Sequence, residues 1–152
     1  MIRQTLLPSL LNREVTDFER ELLSLPARHG GLGIFNPCNL CESSVQRSEE
    51  LTAPLVELIL SQASTFNPSE MHDYQFDILK EQKAETEKEY LRRKEELYEK
   101  APDNIRRQIE LASEKGASSW VTAPPLKQHH TVLCKRDFWD AMCLRYGWTP
   151  TE

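Results

Sequence analysis

The stretch from Asp77 to Lys100 limits the fold more than any other part of this sequence. Residues 76–100 carry 7 Lys or Arg against 8 Asp or Glu. Glu89 with Arg93, and Glu96 with Lys100, have the i,i+4 spacing that supports a helix through ion pairs. Ala84, Leu91 and Tyr98 recur every seven residues, with Tyr90 and Leu97 beside them. Glu87 and Lys94 stand where the alternate positions of a coiled-coil seam are apolar, so the pattern supports a self-sufficient coiled coil only weakly. It predicts one long helix with a single narrow buried stripe.

The rest of the chain is read outward from that helix. Thr16-Asp17-Phe18-Glu19 has the form of a capping box, in which hydroxyl and carboxylate each satisfy an orphan N–H. The helix it opens carries Phe18, Leu22 and Leu23 and stops near Pro26. Gly30-Gly31-Leu32-Gly33 comes next and predicts backbone turns that a Cβ would obstruct. Asn36-Pro37 reads as a cap and a first-turn proline. Residues 37–50 read as a polar helix, and Thr52 and Pro54 open a second one, with Leu55, Val56, Leu58, Ile59 and Leu60 as core. Asn67-Pro68 opens the long helix. Pro102-Asp103 starts another, whose Ile105, Ile109 and Ala112 share a face and whose C-cap is Gly116. After a connector around Pro124-Pro125, a last helix runs from about Lys135 to Tyr146 and ends at Gly147. The fold class is all-α: an irregular helical assembly with one long charged helix, about residues 70–100, and short connectors. The chain divides into three regions, 1–66, 67–100 and 101–152, within one domain.

Charge narrows the function. Residues 1–75 hold 5 basic against 10 acidic side chains, and residues 101–152 hold 7 against 6. An acidic half repels phosphate, so tight non-specific nucleic-acid binding by the whole chain is not expected. The basic residues that face least opposition are Arg106, Arg107, Lys127, Lys135 and Arg136, the candidate nucleic-acid contacts. Arg92-Arg93-Lys94 sits among glutamates and reads as a solvated face. There is no apolar run of membrane-spanning length and no secretory leader, so the expected setting is intracellular, cytoplasmic or nuclear, with no membrane partner.

The four cysteines are Cys38, Cys41, Cys134 and Cys143. Cys38-x-x-Cys41 is half of a zinc or redox motif, and His129, His130 and Cys134 are the only candidates for another half. The CxxC falls on a predicted helix, however, and a redox role needs a βαβ setting that is missing. Free thiols, no metal and no cofactor are expected. The glycine run lacks the spacing of a phosphate loop, and Gly30, Gly31 and Gly33 are assigned to a structural turn. His29, without a partner in sequence reach, reads as an exposed loop histidine. No catalytic residue is assigned.

Three strings carry a resemblance. Leu25-Pro26-Ala27-Arg28-His29-Gly30-Gly31-Leu32-Gly33-Ile34 resembles the "LP…GGLGI" segment located after the polymerase core in reverse transcriptases of non-LTR retrotransposons. Gly116-Ala117-Ser118-Ser119-Trp120 is similar to a "GASSW" segment in open reading frames of the same kind. Phe138-Trp139-Asp140-Ala141-Met142-Cys143-Leu144-Arg145-Tyr146-Gly147-Trp148 is similar to "F.DA..LRYGW". Thr52-Ala53-Pro54-Leu55 fits between them, and together they span roughly residues 20–148, in the order such proteins have them. The resemblance implies a helical linker or thumb-side module, truncated before the cysteine/histidine knuckle and nuclease that come next in such elements. It carries over no chemistry: there is no YxDD-like pair, and Asp137 and Asp140 belong to a helix. The Cys38/Cys41 pair is outside the pattern, and Cys134 stands where a capping Ser is expected.

The resulting expectation is a non-catalytic helical fragment of a retroelement reverse-transcriptase-like protein. Its partners would be flanking reverse-transcriptase modules and, weakly, RNA or DNA. The alternative is a standalone helical scaffold that binds a protein partner through the 70–100 helix.

Overall fold

A computed structural model describes residues 2–149, and no strand occurs among them. The α-helices are α1 (Leu7–Leu11), α2 (Asp17–Ser24), α3 (Pro37–Leu60), α4 (Pro68–Lys100), α5 (Asp103–Ser113), α6 (Ser119–Thr122) and α7 (Lys135–Tyr146). A π-helical turn precedes α1, and short 3₁₀ turns lie at Ala27–His29 and Lys127–His129. The fold is all-α. The residues form two compact units: one holds residues up to Phe35 together with those from Tyr90 onward, and the other is Asn36–Glu89. Helix α4 is shared between them.

The first unit contains the core. Leu7, Leu11, Val15, Leu22, Leu23 and Leu25 come from its N-terminal part, and Leu97, Ala101, Ile109, Met142 and Tyr146 from its C-terminal part. The capping box at α2 is complete: the Thr16 Oγ1 accepts from the Glu19 N–H at 3.2 Å, and the Glu19 carboxylate accepts from the Thr16 N–H at 2.9 Å. Trp139 of α7 donates its indole N–H to the Leu10 carbonyl at 2.9 Å, which fixes the chain after α1. Arg13 lies 4.3 Å from the centre of the Trp148 ring. The α4 stripe is only partly covered: Leu97 is buried, Tyr90 and Tyr98 are half-buried, and Ala84 and Leu91 are exposed.

The second unit is a helical hairpin of α3 and the first part of α4. One feature departs from the sequence reading. Residues 37–60 form one helix, not a break near Thr52 and a fresh start, and Pro54 lies inside it. A proline has no N–H for the carbonyl four residues earlier, here that of Glu50. The Tyr74 hydroxyl of α4 donates to that carbonyl at 3.0 Å in place of the missing amide. Gln82, two turns further along α4, donates to the Arg47 carbonyl at 3.2 Å and the Glu50 carboxylate at 3.1 Å. None of the α3 residues is buried, so its apolar run is not the core that its density suggested.

Three smaller expectations are also corrected. His29 is buried, not an exposed loop residue, because the glycine turn folds it inward to within 6.4 Å of the Tyr90 ring. Arg93 is not on a solvated face: it pairs with Glu21 of α2 at 2.7 Å and donates to the Ser24 hydroxyl at 2.9 Å. Helix α5 ends at Ser113, and Gly116, at φ +91°, belongs to the turn after it.

Candidate functional site

The three longer strings, around Gly30, Ser118 and Arg145, meet in the first unit, while Thr52-Ala53-Pro54-Leu55 lies on α3 in the other. The glycine turn is built so tightly that a Cβ on Gly31 would lie 1.9 Å from the Leu25 carbonyl oxygen, closer than any contact allows. Gly30 and Gly33 have φ of +92° and +70°, the left-handed region where glycine meets no steric penalty. The turn therefore aims several carbonyls inward, and each needs a donor.

The other two strings supply the donors. Arg145 of α7 is buried at 8% exposure. Its Nη2 donates to the Ala27 carbonyl at 3.1 Å, the Gly31 carbonyl at 3.2 Å and the Ser118 hydroxyl at 2.9 Å. The Tyr146 hydroxyl donates to the Gly30 carbonyl at 3.1 Å, and burial pushes its pKa up. Ser118 Oγ lies 2.6 Å from the Ala27 carbonyl and 2.8 Å from the Ala112 carbonyl, which ties in α5. Among the described residues no buried side-chain polar atom lacks a hydrogen-bond partner.

The chain matches no protein-family model, no curated protein and no solved structure.

Chemically, this constellation holds the fold. The planar donors of the guanidinium tie the glycine turn and Ser118 to α7 at once. A phosphate would have to displace those bonds to reach it.

The basic residues singled out from sequence lie elsewhere in the same unit and divide into two kinds. Arg106 is engaged: its guanidinium donates to the Tyr98 and Glu99 carbonyls at 2.9 and 3.1 Å and to the Asp103 carboxylate at 3.0 Å. It thereby satisfies the last carbonyls of α4, a C-terminal cap supplied by the next helix. Arg107, Lys127, Lys135 and Arg136 are exposed. Lys135 lies over the Trp139 ring, 4.5 Å from its centre. From Lys115 to Arg136 the sequence has no acidic residue, so Lys127, Lys135 and Arg136 border a continuous acid-free stretch.

Cys38 and Cys41 are exposed free thiols on the first turns of α3, where the Asn36 side chain caps the Cys38 N–H at 3.3 Å. Cys134 caps α7, its Sγ accepting from the Asp137 N–H at 3.4 Å. Among the described residues no group of three or more His, Cys, Asp or Glu side chains stands together as a metal site. No helix among them is long and apolar enough to cross a membrane.

Sequence reasoning missed Arg145, Ser118 and Tyr146 as a group. Burial of an arginine has no local signature. The available signal was that Ser118, Arg145 and Tyr146 are polar residues that no helical face required.

Proposed function

We propose that the chain is a non-catalytic helical module of a retroelement reverse-transcriptase-like protein. It would link the polymerase core to the neighbouring C-terminal module and touch nucleic acid weakly. The observation that supports this reading is the convergence of its three strings on one buried network, from Gly30 and Gly31 through Ser118 to Arg145 and Tyr146. Strings kept for a shared packing role would be expected to meet in this way. Their polar groups are consumed by one another, which suits a connecting piece better than a catalytic one.

Weak nucleic-acid contact would fall to Arg107, Lys127, Lys135 and Arg136, the exposed members of the basic set. Each phosphate contact adds about one unit to the salt slope, so a handful gives a shallow dependence. The test is an anisotropy titration of the full chain with single-stranded and duplex oligonucleotides at two salt concentrations. Weak binding lost at moderate salt is expected. Charge reversal at Arg107, Lys127, Lys135 and Arg136 should abolish it, while reversal at Lys94 should not. Tight, salt-resistant, sequence-specific binding would sink the reading.

A second reading has its own observation. The hairpin of α3 and α4 leaves Val56, Ile59, Leu60, Phe76 and Leu79 exposed. That favours a scaffold that binds a protein partner, whether or not nucleic acid is also touched.

A further inference from the structure

Helix α3 has two opposite apolar faces. One turns toward α4, with Leu40, Leu51, Pro54 and Leu58 half-buried. On the other, Cys38, Val45, Thr52 and Ile59 recur every seven residues, and Cys41 and Val56 fill the positions three or four residues away. At about 100° per residue these six side chains fall within about 60° of one another, on one side of the helix. Only Thr52 on it is even half-covered, and Ile59 is 74% exposed. A depression of about 620 Å³ runs along Thr52, Val56 and Leu60.

Charge says what fits there. The acidic residues of α3 are Glu42, Glu49, Glu50 and Glu57, against Arg47 as its one basic residue. At about 100° per residue, Glu42 and Glu49 fall along one flank of this face, and Arg47 falls on the opposite, α4-facing side. The whole unit, residues 36–89, carries 11 acidic against 4 basic side chains. Two copies of so acidic a unit repel each other, which disfavours self-pairing. A helix with Lys or Arg beside its apolar positions would meet the glutamates with opposite charge.

We propose that the outer face of α3 is the docking seam for a basic amphipathic helix of a partner protein. The inference rests on the scaffold reading and moves its contact from α4 to α3. Apolar positions of the incoming helix pack between Val45, Thr52, Val56 and Ile59. Its basic side chains pair with Glu42 and Glu49, which sets orientation and partner choice more than affinity.

The test uses the full chain and two labelled synthetic helices. Both carry Leu at the core positions of a heptad; one has Lys at the flanking positions and the other Glu. The Lys helix should bind at least tenfold more tightly than the Glu helix, and added salt should narrow the gap. The variant Glu42→Lys/Glu49→Lys should invert the preference. Val45→Asn/Val56→Asn should weaken binding of the Lys helix at least tenfold. These side chains are exposed, so the variants should keep the wild-type helical spectrum; if the second does not, the charge-reversal variant decides. No binding of either helix, or a preference that survives charge reversal, overturns the proposal. If binding is lost instead in Phe76→Asn/Leu79→Asn, the seam on α3 is wrong while the scaffold reading stands. A concentration-dependent dimer of the chain alone, abolished by Val45→Asn/Val56→Asn, would give the face to a second copy and also overturn it.

Discussion

Arg145 is the side chain on which the first unit depends most. One nitrogen of it reaches the Ala27 and Gly31 carbonyls of the glycine turn and the Ser118 hydroxyl, far off in sequence, and the last two contacts are buried. Removing a buried donor leaves its acceptors desolvated and unpaired, at a cost of about 2–3 kcal/mol for a network of this kind. Arg145→Met keeps the volume and removes the donors, so it should lower the unfolding free energy by that amount in denaturant titrations. Arg145→Lys should recover little, because a point charge cannot reproduce the planar fork. A stability unchanged by Arg145→Met would show that the network is dispensable. Glu19 gives a pH-dependent counterpart. Burial alone would raise its pKa, but the Thr16 N–H, the Arg13 side chain and the Thr16 hydroxyl together hold it below the usual glutamate value. A lowered folded pKa adds stability that is fully present above the unfolded value, about 4.3, and lost as pH falls through the folded one. Glu19→Gln should therefore be less stable than the parent at pH 7, and the gap should close toward pH 2 in denaturant titrations. A gap that persists in acid would mean that the carboxylate charge contributes nothing.

The hairpin turns on how α3 passes Pro54. With the Tyr74 hydroxyl on the orphaned Glu50 carbonyl, Tyr74→Phe should cost about 0.5–1.5 kcal/mol. In a Pro54→Ala background the new amide can take that carbonyl, and the cost of Tyr74→Phe should fall toward zero. Equal costs in both backgrounds, measured by thermal melts of helical signal, would refute the substitution of phenol for amide. This is also where the sequence was hardest to read. The capping box at Thr16, the cap at Asn36, the span of α4 and the stop at Gly147 were legible because each rests on residues adjacent in the chain. A proline accommodated inside a helix depends on Tyr74, twenty positions away in sequence, and no local pattern announces it. The same holds at the site. The glycine turn was legible from Gly30-Gly31-Leu32-Gly33, but its donors sit on α7 and in the turn before α6. The outer face of α3 was hidden for a different reason: a helix judged broken near Thr52 cannot show a face that runs from Cys38 to Ile59.

Across the molecule, burial is concentrated in one unit. The described buried hydrophobic residues all fall before Phe35 or after Tyr90, and Asn36–Glu89 contributes none. Opening free energy rises with buried apolar contact, so amide exchange should be uneven. Amides of residues 40–60 and 72–88 should exchange much faster than those of 97–101, 107–112 and 142–146, with the change along α4 falling near Tyr90. Uniform protection along the whole of α4 would contradict this. The order of the chain adds a consequence for its synthesis. Arg145 bonds to Ala27 across 118 residues. A ribosome adding about 5–20 residues per second needs roughly 6–24 s to make that span. Through that interval Leu7, Leu11, Leu22, Leu23 and Leu25 have emerged without the residues that will cover them. These leucines are thus an early and lasting target for chaperones, and the first unit closes only once residue 145 has been made.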